Sequence, residues 1–489
     1  MSTFVLMELC KQSGVKNVIY QLLAPSITLN LDEVEENRSY AVIIDKGIRY
    51  CLTGNSGIYD EEASYVLLTD RTPTKQKLID NEIKQRKWIK HPNQIEASPD
   101  DVINSWENRF HFKLEKNEAH PGLRRPQLGA LHALLSHMLS PTETATVVLP
   151  TGTGKTETMM SALVAGRCNR VLVTVPTNAL RGQLFNKFKT LGILKKAKFE
   201  IVDKEALYPI VGVITSAFEG EDQLKSFIRQ CNVVITTMQI IDHAPEEQQD
   251  VYVSSFSNVF VDEAHHIVAT SWRKFSDRFP RHQLVQFTAT PFRNDGQRLD
   301  GKIIFNYPLR QAQKDGYYRT IHFLPVREYG EEAIADKAIA EKAVEKLKDD
   351  QKHYQHIMMA RCETKSRAQG VYKIYKELCP ELRIVLLYSG CPDYIENYNK
   401  VLKRDVDIVV CVNMLGEGFD LPELKIAAFH DIRKSLPITL QFSGRFTRTS
   451  RDAELGDASF VANIADLTVK QELDSLYEED ADWNFSRCK

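Results

Sequence analysis

The chain has 489 residues, 43% of them hydrophobic and 26% charged, with a formal net charge of −2. That length allows roughly two to four domains, each able to bury its own core. No apolar run reaches the ~18 residues of a membrane-spanning helix, and the near-neutral balance excludes a protein that coats nucleic acid by charge alone.

The N-terminal stretch MSTFVLMELC carries Glu8 within a short apolar run and no basic lead-in, so a signal peptide is not expected. The nine cysteines form no Cys-x-x-Cys pair, which argues against a zinc site. Cys168, Cys231 and Cys411 sit in apolar contexts suited to reduced core thiols, and the expected location is cytoplasmic, with no membrane partner.

Residues 1–120 have mixed texture and are expected to form an α+β accessory domain. SYAVIIDKGIRYCLTG (39–54) predicts two strands about a turn at Asp45-Lys46-Gly47, and SYVLLTD (64–70) a third. TKQKLIDNEIKQRKWIKH (74–91) has helical propensity. Its Lys75, Lys77, Lys84, Arg86, Lys87 and Lys90 form either a solvated face or an arm that contacts phosphates.

From about residue 121, short β-branched runs alternate with helical stretches. ATVVLP (145–150), RVLVTVP (170–176), NVVITT (232–237), NVFVDE (258–263) and LVQFTAT (284–290) form the first series. A second follows with TIHFLPV (320–326), HIMMARC (356–362), RIVLLYSG (383–390), DIVVCVN (407–413), IAAFHD (426–431) and ASFVANI (458–464). Uninterrupted apolar strands separated by helices predict parallel sheets covered on both faces. The fold class is therefore α/β, with two tandem parallel-sheet domains at 121–310 and 311–489, joined near 306–318.

LPTGTGKTET (149–158) follows a strand and opens a helix. Gly152 and Gly154 let the backbone curl so that its N–H groups, with that of Thr153, face phosphate oxygens. The helix N-terminus adds partial positive charge. Lys155 suits the β- and γ-phosphates, and Thr156 suits Mg²⁺. The full phosphate-loop pattern asks for glycine at position 149, where this chain has Leu149. VFVDEAHH (259–266) ends another strand with two carboxylates. In a parallel sheet both segments open at the same edge, so Asp262 can approach the metal and Glu263 can act as a general base on water.

PTGTGKT, DEAH, TAT (288–290) and QFSGRFTR (441–448) occur in the order and spacing of superfamily 2 helicases of the DEAH-box type. Over residues 121–465 the chain resembles these proteins, and within them the helicase subunits of restriction and phage-defence systems. The resemblance implies RecA-like domains, ATP and Mg²⁺ as ligands, and nucleic acid as the track. It assigns Gln127 to the adenine edge, with Arg124 or Arg125 nearby, and Gly418 and Asp420 to the nucleotide from the second domain. Gln441, Arg445 and Arg448 would complete catalysis across the cleft, the arginines stabilising charge on the γ-phosphoryl group. Thr177, Asn178, Arg181, Thr237, Gln239, Ser389 and Gly390 match positions that grip the nucleic-acid backbone. Thr288 and Thr290 would relay between the two ligands through His265.

The expected function is an ATP-dependent helicase or translocase, most readily on single- or double-stranded DNA. An RNA helicase, or a nucleotide-gated DNA clamp that serves a nuclease or other defence subunit without unwinding, remains open. A nuclease within 1–120, built on Asp70, Glu82 and Lys84, is a weaker alternative. Relatives of this kind often carry a further C-terminal domain, which predicts either a shortened form or a natural break here.

Overall fold

The computed structural model describes residues 2–91, 97–117, 119–140, 142–264, 277–289, 299–317, 321–412, 421, 423–430 and 456–465. Two parallel sheets dominate, as the apolar runs predict. The first has nine strands in the order Lys302–Asn306, Ala145–Val148, Leu284–Thr288, Asn258–Asp262, Val171–Val175, Val233–Thr237, Ile210–Val213, Val18–Ala24, Leu9–Ser13. Its strands from 145 to 306 run parallel.

The pleat sends alternate residues to opposite faces, and each face has its own core. Val147, Val173, Val285 and Phe287 meet the helices Arg125–Leu139 and Lys155–Ala165 through Leu131, Leu134, Met159 and Leu163. Leu172, Val234, Val259 and Leu284 meet Leu224, Ile228, Val251 and Tyr252 on the other side. Burial on both faces is why these strands read as continuous apolar runs. Cys168 and Cys231 lie within these cores, and burial pushes the Cys168 thiol up to about 12.

The second sheet has six parallel strands in the order Ile321–Val326, Ala458–Asn463, Leu424–Phe429, Ile357–Cys362, Ile408–Val412, Ile384–Leu387. The helices Glu332–Asp350 and Lys365–Leu378 cover one face through Ile339, Val344, Leu347, Val371 and Tyr375. A largely buried polar network lies beneath them. Asp336 takes two hydrogen bonds from Arg367, at 2.9 and 3.2 Å, and one from His430 Nδ1 at 2.9 Å. A carboxylate only accepts, so His430 carries a proton on Nδ1, and its Nε2 lies 3.0 Å from the Tyr375 hydroxyl. Burial alone would raise the Asp336 carboxyl, but the His430 and Arg367 hydrogen bonds hold it below its ordinary value.

The accessory region contains a five-stranded sheet, ordered Val34–Glu36, Tyr40–Asp45, Ile48–Thr53, Tyr65–Thr69, Gln85–Lys90. The strands expected in 39–54 and 64–70 are present. The helix expected across 74–91 is not. It runs only from Lys75 to Ile79, capped by the Thr74 hydroxyl, and Asn81 then turns left-handed at φ +54°. Gln85–Lys90 is instead an edge strand. Its Trp88 packs against the Tyr65 ring at 6.0 Å and donates its indole N–H to the Glu8 carbonyl at 2.9 Å. Burial of one aromatic side chain against a sheet outweighs several tenths of a kcal/mol per residue of helical preference. Lys84, Arg86 and Lys87 are exposed along this edge, where charge discourages pairing with another strand.

The hairpin formed by Leu9–Ser13 and Val18–Ala24 belongs to the first large sheet, although the sequence reading groups it with the accessory region. Val18–Ala24 pairs antiparallel with Ile210–Val213, Val18 facing Val213.

Candidate nucleotide and nucleic-acid site

All parallel strands of the first sheet point their C-terminal ends to one edge, and there the candidate residues collect. After Val148 the chain turns through Leu149–Gly154 into the helix Lys155–Ala165. Gly152 and Gly154 have φ of +91° and +102°, a region that side chains disfavour. Thr153 closes the loop from within, its hydroxyl donating to the Pro150 carbonyl at 2.7 Å. The Thr158 hydroxyl donates to the Gly154 carbonyl at 3.0 Å and fastens the first helical turn.

A Cβ on Gly154 would lie 1.8 Å from Nε2 of Gln127. Gln127 is buried, and its Oε1 accepts the Arg124 backbone N–H at 2.7 Å, the reach-back bond of a capping box. Arg124 in turn donates to the Gly152 carbonyl at 3.0 Å and lies over the Tyr317 ring, 5.3 Å from its centroid. The Tyr317 hydroxyl accepts the Arg125 N–H at 3.1 Å. The glutamine segment, the glycine loop and the segment between the two sheets are thus bonded together. The sequence marks Gln127 and the arginines but carries no local sign of Tyr317.

The carboxylate pair stands across this loop. Asp262 ends its strand almost fully buried, and its Oδ1 accepts the Glu263 N–H at 3.0 Å. Glu263 has φ +49°. A left-handed non-glycine residue costs about 1–2 kcal/mol. The turn carries its carboxylate to Lys155, with Nζ 2.6 Å from Oε1 and only 8% and 12% of the two side chains exposed. Thr156 is half-buried one residue further along the helix. A hydroxyl and a carboxylate are the oxygen donors that a hard divalent cation takes, so Thr156 and Asp262 fit Mg²⁺.

Among the positions expected to grip nucleic acid, Thr177 caps the helix Asn178–Phe188 by accepting from the Leu180 N–H at 3.3 Å. Asn178 and Gln239 are exposed, whereas Thr237 is buried at 4% exposure. Arg181 donates to the Ile214 carbonyl at 3.3 Å, and burial lowers its guanidinium from the ordinary value. In the second sheet Ser389 and Gly390 are exposed beyond the strand Ile384–Leu387, with Gly390 at φ +82°. Thr288 ends its strand fully buried. His265, Thr290, Gly418, Asp420, Gln441, Arg445 and Arg448 lie outside the described residues.

Residues 120–293 match the model of a family described as type III restriction enzyme, res subunit. The chain is 24% identical over 373 residues to the ATP-dependent RNA helicase DRS1 of Eremothecium gossypii, covering 68% of this chain and 46% of that protein. It is 22% identical over 383 residues to DRS1 of Scheffersomyces stipitis, covering 71% and 49%. It therefore spans about half the length of the curated relatives it matches. A solved chain described as a fragment of an HsdR subunit of a type I restriction enzyme from Vibrio vulnificus superposes with a TM-score of 0.54 at 16% identity, covering 92% of this chain and 77% of that one. The fold is of helicase type: mixed α/β with RecA-like parallel-sheet domains. Within it, the stretch from 120 to 293 is similar to the res subunit family in particular.

Proposed function

We propose that this chain is an ATP-dependent nucleic-acid helicase or translocase of the DEAH type, acting on DNA in restriction, repair or phage defence. The observation that carries the reading is the Lys155–Glu263 pair: a cation on a glycine loop beside a strand-end carboxylate, at the sheet edge that also bears Thr177 and Gln239. An ammonium buried this far needs an anion, and the phosphates of ATP are a natural replacement for the carboxylate. Lys155 then moves to the β- and γ-phosphates, cradled by the N–H groups of Gly152, Thr153 and Gly154.

Released from Lys155, Glu263 serves as general base. It takes a proton from water as the water oxygen attacks the γ-phosphorus and the β–γ bridging bond breaks toward ADP. Mg²⁺ held by Thr156 and Asp262 would neutralise charge on the phosphates. Gln127, resting on Gly154, couples recognition of the adenine edge to loop geometry. Residues 311–489 would contribute Gly418, Asp420, Gln441, Arg445 and Arg448, the two arginines supplying charge in the transition state. Closure on ATP and relaxation after hydrolysis move one grip relative to the other.

The similarity to RNA helicases named above favours RNA as the second track to test. ATP turnover with forked DNA, forked RNA and no nucleic acid, combined with strand displacement, tests the proposal. A DNA motor turns over fastest with DNA and displaces a strand. Turnover stimulated by DNA without displacement or movement identifies a clamp, and stimulation by RNA alone moves the track to RNA.

A further inference from the structure

The hairpin that extends the first sheet has a tip with no assigned role. Antiparallel pairing sets Val18 opposite Val213, so the turn between Ser13 and Val18 emerges at the C-terminal edge of the sheet. This is the edge that carries the phosphate loop and the Thr177 and Gln239 loops. From Val171–Val175 to Val18–Ala24 is three strand positions. At ~4.8 Å per strand the tip stands about 14 Å beyond the Thr177 loop, the length of about four stacked nucleotides.

The tip is rigid. Gly14 has φ +85°, and a Cβ there would meet the Asn17 carbonyl oxygen at 2.0 Å, which makes the turn glycine-dependent. Asn17 Oδ1 accepts from the backbone N–H of Thr215 at 2.9 Å and of Ser216 at 3.1 Å, and its Nδ2 donates to the Ser216 carbonyl at 3.1 Å. The Thr215 hydroxyl donates to the Lys16 carbonyl at 2.7 Å. These bonds fasten the turn to the loop that follows Ile210–Val213. On this held turn Val15 is 96% exposed, and Lys16 beside it is exposed with no ion pair among the described residues. Single exposed aliphatic residues are ordinary on protein surfaces. Here one stands at the apex of a hairpin held by these hydrogen bonds, next to a cation, at the sheet edge that also bears the Thr177 and Gln239 loops.

We propose that the Ser13–Val18 tip is an additional nucleic-acid contact. Val15 lies against a base face as an apolar wedge and Lys16 pairs with a phosphate of the same strand. The contact deepens the proposed function and rests on its choice of nucleic acid as the track.

The test measures binding directly, by anisotropy of a labelled single-stranded DNA long enough to cross the sheet edge, with Val15→Ser, Lys16→Glu and, as control, Leu139→Ser at an apolar residue 88% exposed elsewhere. Melting temperatures verify that each variant folds. Val15→Ser is expected to weaken binding about threefold to tenfold. Lys16→Glu should reduce the log–log salt slope by about 0.7–1, as for loss of one phosphate contact. Leu139→Ser should match the wild type. Wild-type affinity and slope in both tip variants overturn the contact, as does equal weakening in all three variants. ATP turnover, followed in parallel, separates the two proposals. Tip-dependent binding without DNA-stimulated turnover sinks the motor and keeps the contact; stimulated turnover with tip-independent binding does the reverse.

Discussion

Converting Glu263 to glutamine removes the negative charge from the Lys155 pair while preserving shape. The pair is short, at 2.6 Å, and almost sealed from water. A hydrogen bond to a charged group contributes about 1.5–3 kcal/mol, and an amide oxygen retains part of it. The net loss is thus about 1–2 kcal/mol, lowering the melting temperature of the free protein by roughly 2–8 °C for a lobe of this size. Under the proposed function, ATP binding to the wild type gives up the same interaction when phosphate takes the ammonium. Glu263→Gln should therefore bind ATP about 5- to 30-fold more tightly, at 1.4 kcal/mol per tenfold, while losing turnover. Titration with a fluorescent ATP analogue, and melting with and without saturating nucleotide, read both effects. The melting deficit should close when ATP is present. Equal or weaker ATP affinity together with unchanged melting would refute the idea that this carboxylate occupies the ammonium until phosphate arrives.

Gly154→Ala places a Cβ on Gln127 at a φ of +102° and should abolish nucleotide-dependent stabilisation in a thermal-shift assay. Arg448→Ala should retain nucleotide binding by equilibrium titration yet turn over about 10³-fold or more slowly; weakened binding with normal turnover would remove its proposed role. Asp336→Asn removes the negative charge that Arg367 and His430 share in the second lobe, while Arg367 keeps Glu332, and should cost about 1.5–3 kcal/mol in denaturant unfolding. Because the Asp336 carboxyl is lowered in the folded protein, its stabilisation is complete above the ordinary aspartate value near ~3.9 and is lost as pH falls through the folded value. The Asn variant should therefore show a shallower acid limb in its stability profile, and an identical limb would contradict the coupling.

The large sheets were legible because their strands are buried on both faces, which leaves runs such as Val171–Val175 with no polar punctuation. The glycine turn between Val148 and the helix Lys155–Ala165 was legible because glycine, lysine and threonine follow one of those runs directly. The hairpin's membership in the first sheet was not. Its partner strand lies about 190 residues away, and antiparallel addition at a sheet edge leaves no local pattern. In 74–91 the Lys, Gln and Ile content favours a helix, and only the packing of Trp88 on Tyr65 decides for a strand. Nothing local in the sequence marks Asp336, and its burial follows from Arg367 and His430 arriving from other elements. The Lys155–Glu263 bond joins residues 108 positions apart, so the sequence names both members without revealing that they bind each other.

The central claim is that Lys155 sits in a nucleotide site driven by nucleic acid. The most direct measurement is the rate of phosphate release by the wild type and by Lys155→Ala, each with single-stranded DNA, double-stranded DNA, RNA and no nucleic acid. The wild-type rate should rise with nucleic acid, most with DNA, and the mutant rate should stay at background under every condition. A wild-type rate indifferent to all three nucleic acids, or a mutant still stimulated by them, would contradict it.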